Sequence, residues 1–433
     1  MQRLCPVTRN ESSDTLQYRK AVSSAVLTTF AQASKIVVGF LILKLIALYL
    51  GPDGLGKLGH FMSLTSILAL LAGGGISHGV IKYSAEYRKD KFSLYRLLST
   101  ASAFAFVFSA LLALLFLLFS RPISIFILGD GNLAWVISSL SVFQLILAFN
   151  MLFSSVANGL ADVKSFAFAQ IIGNLLSLPF AWLLISKFGL SGAAIAIISI
   201  LAMAAFPSLY LYLRSSLRFR FRRRKIDPTL LKKLSWFSLM LCVSAIAFPV
   251  VEIYIRQSLI SNSGYTQAGI WQGLIRLSSA YLGFFSVFLA SYFMPMISQT
   301  NNKKEIESLT LKFIVFVMIV FAVGGGVLYF WRDFFVPLLL SNEFEELNNF
   351  LIYQLIGDFF KASNYVIGFI AVARAATRVY IISEVFQAGL FVFLTFLIGR
   401  FIVGAEGVTI AYMISYIICF FFGVVVLKFW VRS

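Results

Sequence analysis

The chain has 433 residues, 60% of them hydrophobic and only 12% charged, with a mean hydropathy of +0.89. Soluble domains carry about 25% charged residues, so composition excludes a soluble globular protein and points to an integral membrane protein. The net charge of +18 has to be placed along the chain before it says anything about partners.

Residues 1–20 are polar, and an apolar run then continues to Leu50. That run is too long, and too interrupted by lysine, for the core of a cleavable signal, and reads as a first membrane helix. A helix needs about 20 residues to cross ~30 Å of hydrocarbon. On that measure the spans are 21–50, 58–82, 97–119, 135–160, 165–186, 189–213, 236–259, 269–296, 311–330, 347–373, 379–398 and 404–430. The division between the fifth and sixth rests on the short Lys187–Leu190 break. Continuous runs such as Ala101–Phe119 exclude the ~10-residue alternation of a transmembrane β-barrel. The fold class is all-α and polytopic.

Basic residues orient these spans, because cytoplasmic loops carry the excess of Lys and Arg. With both termini inside, 26 of the 36 Lys and Arg residues fall in cytoplasmic segments or at the cytoplasmic ends of spans, 5 in external segments and 5 deeper within spans. The run Arg214–Lys225 reads as a topology anchor touching anionic lipid rather than a nucleic-acid patch. It is also the longest cytoplasmic connection. It divides the chain into an N-terminal segment 1–20, a six-helix bundle 21–213, a basic linker 214–235 and a second six-helix bundle 236–433. A faint repeat supports the cut: GKLGHFMSLTS from Gly56 can be laid on GIWQGLIRLSS from Gly269, each opening the second span of its half. Six is an even number, so the halves share one orientation and a site is expected between them at mid-depth.

Charges inside the spans are the main functional signal, since each costs roughly 2.5–3.5 kcal/mol at a helix centre. Lys35 lies centrally in the first span, and Lys44, about 180° around the helix, is placed to reach outward. Glu252 and Arg256 follow Pro249 at i, i+4, and Gln272 and Arg276 repeat that spacing on the eighth span. In the tenth span Gln354, Asp358, Lys361 and Tyr365 share one face, with Asp358 and Lys361 able to pair at i, i+3. That face reads either as a cavity wall for an anion or as a structural ion pair. Glu384 is read as a structural partner of Arg378. His60 and His78 are five turns apart on one face, and His78 is one turn from Lys82, a weak relay. The excess of cations points to an anionic substrate.

Little else carries chemistry. Cys5, Cys242 and Cys419 are far apart, two histidines cannot build a zinc site, and no catalytic constellation is present. The glycine-rich stretches Leu70–Gly79 and Gly324–Gly326 permit close helix approach or hinging and are not phosphate loops. The sequence predicts no metal, no cofactor and no enzyme activity.

Four stretches, Gly51–Tyr87, Gly269–Leu282, Trp331–Phe344 and Gln354–Val385, resemble the Wzx-type polysaccharide translocases, above all the O-antigen and enterobacterial common antigen (lipid III) flippases. The resemblance runs from the first span to the twelfth. It implies the V-shaped fold of the multidrug/oligosaccharidyl-lipid/polysaccharide exporters, with two six-helix bundles opening to either side of a bacterial inner membrane. It also implies the substrate, an undecaprenyl-pyrophosphate-linked oligosaccharide moved to the periplasmic leaflet by alternating access. Other polysaccharide assembly proteins, a polymerase or a chain-length regulator, would be partners alongside membrane lipids. A pyrophosphate needs cations that form charge-assisted hydrogen bonds. Substrate-binding residues are therefore expected at Lys35, Arg256, Arg276, Gln354 and Lys361, ion coupling at Asp358 or Glu252, with Lys44, His78 and Glu384 as secondary candidates. Lys35, Arg256, Asp358 and Lys361 look like family charged positions; Arg276 has no matched one. Two alternatives stay open: a drug or cation exporter of the same superfamily, disfavoured by the cationic balance, and a membrane-embedded glycan polymerase or ligase, disfavoured by the short external loops.

Overall fold

A computed structural model of the chain describes residues 11–215, 226–300, 302–374 and 376–432. The described residues form fourteen α-helices joined by short turns, with no β-strand among them. Three helices are far too long for one bilayer crossing: α1 (Glu11–Leu71), α6 (Val163–Ala202) and α8 (Pro228–Phe288). Each is broken by one glycine in the positive-φ region that L side chains avoid. These are Gly51 (φ 62°), Gly189 (φ 54°) and Gly264 (φ 82°). Each break divides two spans, and Gly189 falls inside the Lys187–Leu190 break read from the sequence.

The remaining helices are α2 (Ser77–Glu86), α3 (Lys91–Leu118), α4 (Ser120–Leu128), α5 (Ala134–Gly159), α7 (Ala205–Arg214), α9 (Met294–Gln299), α10 (Lys303–Phe330), α11 (Arg332–Leu339), α12 (Leu351–Ala373), α13 (Thr377–Ile398) and α14 (Ala405–Arg432). Lipid-facing surface is plain on α3, α10 and α13, where Phe106, Leu118, Val323, Phe330, Ile382, Phe393 and Phe396 are all exposed. On a soluble protein such a belt would aggregate; in hydrocarbon it is the appropriate solvent.

The halves repeat. The break glycines Gly51 and Gly264 stand 213 residues apart, as do Gly56 and Gly269. Helices α3 and α10 each contain 28 residues and are each capped by a side chain, Asp90 or Asn302, accepting from the first-turn amides. Each is followed by a short helix, α4 or α11. A Cβ at Gly56 would strike the Tyr265 carbonyl, and one at Gly269 the Pro52 carbonyl, so the two backbones touch where the repeats face each other.

That contact closes one end of the molecule, the end carrying the Gly51 and Gly264 turns. At the opposite end Asp227 caps α8. Its carboxylate accepts from Thr229 and Leu230 and pairs with Arg96 of α3 at 2.5 Å, tying the end of the linker to the N-terminal half. The Thr229 hydroxyl and the capped amides hold the Asp227 carboxyl below the usual carboxylate range.

The single face joining His60 and His78 is not formed. Gly73, Gly74 and Gly75 all take positive φ and end the helix between them. His60 is buried, stacked on Phe126 and bonded to the Ile253 carbonyl, while His78 is exposed on α2.

Candidate functional site

Helix α1 is accessible on two sides. Phe30, Val37, Leu41 and Leu48 make one exposed stripe, apolar and suited to lipid. Gln32 and Lys35 are also exposed, and at ~100° per residue Lys35 lies about 140° from Phe30. A polar side chain open to water on the protein-facing side of a membrane helix requires a gap inside the protein. Further along that same side Ile42 and Ile46 are buried, so the gap closes toward the Gly51 end.

Helix α13 shows the same pattern from the other half. Glu384 is exposed, roughly opposite the lipid-facing Ile382 and Phe393. Tyr380, one turn away, donates to it. Beyond them toward the end of the Gly51 and Gly264 turns Phe391 and Leu394 are buried. The two helices thus line a chamber open at the end where the chain termini lie and closed at the Gly56–Gly269 contact. The side chain of Arg378, the partner expected for Glu384, lies outside the described residues.

The five intramembrane cations have separate fates. Lys35 forms no ion pair with any described residue. Arg276 is half-buried, likewise without an ion pair among the described residues, and its Nε has no hydrogen-bond partner. Two turns from Arg276 on the same face, Gly283 abuts Ile36, the neighbour of Lys35. The second segment of α8 therefore runs beside α1 here, and Arg276 lies about 10 Å from the level of Lys35 along the helix direction.

Lys361 is caged rather than paired. Its ammonium lies 4.8 Å from the Tyr416 ring and 5.2 Å from those of Tyr412 and Phe248. The expected Asp358–Lys361 ion pair is absent, because the Asp358 carboxylate is fully buried and occupied by other donors. Ser278 and Tyr412 each donate to it at 2.6 Å, Gln354 Nε2 at 3.2 Å, and Tyr281 donates as well. Gln354 is buried in the same knot, with its Oε1 unpartnered, and so does not line the chamber. This knot joins α8, α12 and α14, and its negative charge is balanced by Lys361 one turn away.

Arg256 is sealed at the closed end. It is 0% exposed, its Nη2 donates to Gln272 Oε1 at 2.5 Å, its Nη1 to Ser63 at 3.3 Å, and Glu252 lies 3.8 Å away. Ser63 donates to the same Glu252 carboxylate at 2.9 Å, and the guanidinium lies over Trp271. Arg256 is thus no chamber ligand here: it bridges α1 to both segments of α8. Lys44 is spent too, donating to the Pro337 carbonyl of α11 at 2.6 Å.

Sequence reasoning missed the aromatic cage and the seal. Tyr412 and Tyr416 stand at i, i+4, and so do Tyr380 and Glu384. That pattern was readable, but which helix each faces was not. Gln272 was seen only as a neighbour of Arg276, and Ser63 only within the repeat.

Residues 21–301 match the family described as polysaccharide biosynthesis protein. The lipid III flippase of Escherichia coli (strain K12) is 33% identical over 399 residues, which is 92% of this chain and 95% of that protein. The lipid III flippase of Shigella flexneri matches to the same extent, at 33% identity over 92% of this chain and 95% of its own. Among solved structures, an inward-facing multidrug resistance MATE family transporter of the MOP superfamily superposes with a TM-score of 0.67 at 15% identity, over 91% of this chain and 95% of that one. The fold is that of this exporter class.

Proposed function

Because the chain belongs to the polysaccharide biosynthesis protein family, we propose that it flips a lipid-linked oligosaccharide across the bacterial inner membrane, from the cytoplasmic to the periplasmic leaflet. The observation that carries this reading is the pair of cations, Lys35 and Arg276, that form no ion pair among the described residues and lie on adjacent helices at the inner side of the halves. A diphosphate headgroup such as undecaprenyl pyrophosphate takes a guanidinium and an ammonium as charge-assisted donors, at one point of attachment from each helix. Lys361, over three rings on the C-terminal half, supplies a third positive charge, and Glu384 with Tyr380 offers hydrogen-bond acceptors to the glycan. The halves 21–213 and 236–433 rock against each other, so that the outer contact opens as the opposite end closes and the chamber is exposed alternately. The open end is the cytoplasmic one, as the basic residues orient it, with both termini inside. Of the two carboxylates considered for ion coupling, Glu252 is the better placed, because Asp358 is consumed by four donors and serves the packing of its bundle.

Depletion of the protein tests this. Lipid-linked repeat units should accumulate facing the cytoplasm, protected from a glycan-modifying enzyme added outside. Accumulation on the periplasmic side would identify a polymerase or ligase instead, and no accumulation at all would favour a drug exporter.

A further inference from the structure

The closed end of the chamber is held by a small set of polar contacts between the halves, and the substrate's own charge is suited to undo them. Glu252 accepts from Ser63 of the N-terminal half at 2.9 Å and pairs with Arg256 at 3.8 Å. Arg256 in turn donates to Ser63 and to Gln272, and packs against Gly59, where a Cβ would strike its guanidinium. Its Nε is left without a hydrogen-bond partner. The neighbouring positive charge is Arg276, one turn below Gln272 and within coulombic reach of Arg256. Arg256 is thus an anion site already occupied by a protein anion, Glu252, with a second guanidinium, that of Arg276, one turn beyond its other partner Gln272. Glu252 has a second cation to turn to: the Lys361 ammonium lies 5.2 Å from the ring of Phe248, one turn before Glu252 on α8.

We propose that a diphosphate in the chamber competes with Glu252 for Arg256, and that this exchange unlatches the outer end. The inference rests on the flippase reading and adds to it the step by which cargo opens the exit. An anion bound first at Arg276 meets Arg256 next. Once Arg256 turns to it, Glu252 swings to Lys361, and Ser63 loses both its partners across the halves. The ligand then favours the outward-open state through contacts it makes only there, the thermodynamic requirement for driving the change.

Spin labels at Asn132→Cys and Ser261→Cys, exposed at the outer end of the two halves, report the opening by their distance distribution in the purified, lipid-reconstituted protein. The native cysteines are replaced by alanine. Inorganic pyrophosphate should raise the ratio of long to short distances by about tenfold, the size of a typical coupling. Glu252→Gln should give a similar rise with no ligand, and Ser63→Ala a smaller one. Arg276→Gln should abolish the response to pyrophosphate. An unchanged distribution in both Glu252→Gln and Ser63→Ala overturns the latch. A full pyrophosphate response in Arg276→Gln overturns the competition. Calorimetry on the same samples separates the failures: pyrophosphate that binds without opening defeats this inference alone, whereas absence of binding defeats the flippase reading beneath it.

Discussion

Cells whose only copy carries Lys35→Ala should lose surface glycan almost completely, while the protein still inserts and accumulates. Lys35 makes no ion pair with any described residue and is exposed on the inner side of α1, so its removal breaks no packing there. A charge-assisted hydrogen bond to a diphosphate contributes about 1.5–3 kcal/mol, equivalent to roughly a ten- to hundredfold loss of headgroup affinity. Lys35→Arg keeps the charge and should retain partial export. Glycan staining and membrane abundance measured together decide the matter. Full export with Lys35→Ala would mean that the ammonium touches nothing that is carried.

Asp358→Ala should instead destabilise the C-terminal bundle. Four donors from three helices converge on this carboxylate, and among them the Ser278, Tyr412 and Gln354 side chains are themselves buried. Removing the acceptor strands them and leaves Lys361 without its nearest buried counter-charge. Losses of this kind cost about 3–5 kcal/mol. Thermal unfolding of the purified protein should fall by several degrees, with export lost through low abundance. Asp358→Asn, which keeps one acceptor oxygen, should fall between the two. A variant as stable as the parent would return Asp358 to the list of transport residues.

These two substitutions show how far the sequence could be read. Lys35 was legible because a lone charge in the middle of an apolar run has few uses, and because the 3.6-residue period places it away from Phe30 and Val37. Asp358 and Lys361 were legible as buried charges on one face but not as partners of Tyr412. Spacing within a helix says which side chains are neighbours on it and nothing about which helix supplies the hydroxyls. The same limit hid the seal around Arg256. Glu252 at i−4 was visible, whereas Ser63, 193 residues away, becomes a neighbour only when the two repeats meet at Gly56 and Gly269. The repeat itself was faint in side chains and is clear in backbone, where Gly51 and Gly264 break their helices at matching places. Breaks, caps and contact glycines depend on conformations few residues can adopt, and so outlast the identity of the surfaces around them.

Binding of a polyprenyl diphosphate to the purified protein in lipid nanodiscs is the most direct test of a cationic chamber between the two halves. The account predicts saturable binding that inorganic pyrophosphate competes away and the uncharged polyprenol does not. It also predicts that affinity weakens at least about tenfold in Lys35→Gln and again in the double variant with Arg276→Gln. Equal affinity for diphosphate and polyprenol, undiminished in the double variant, would contradict it.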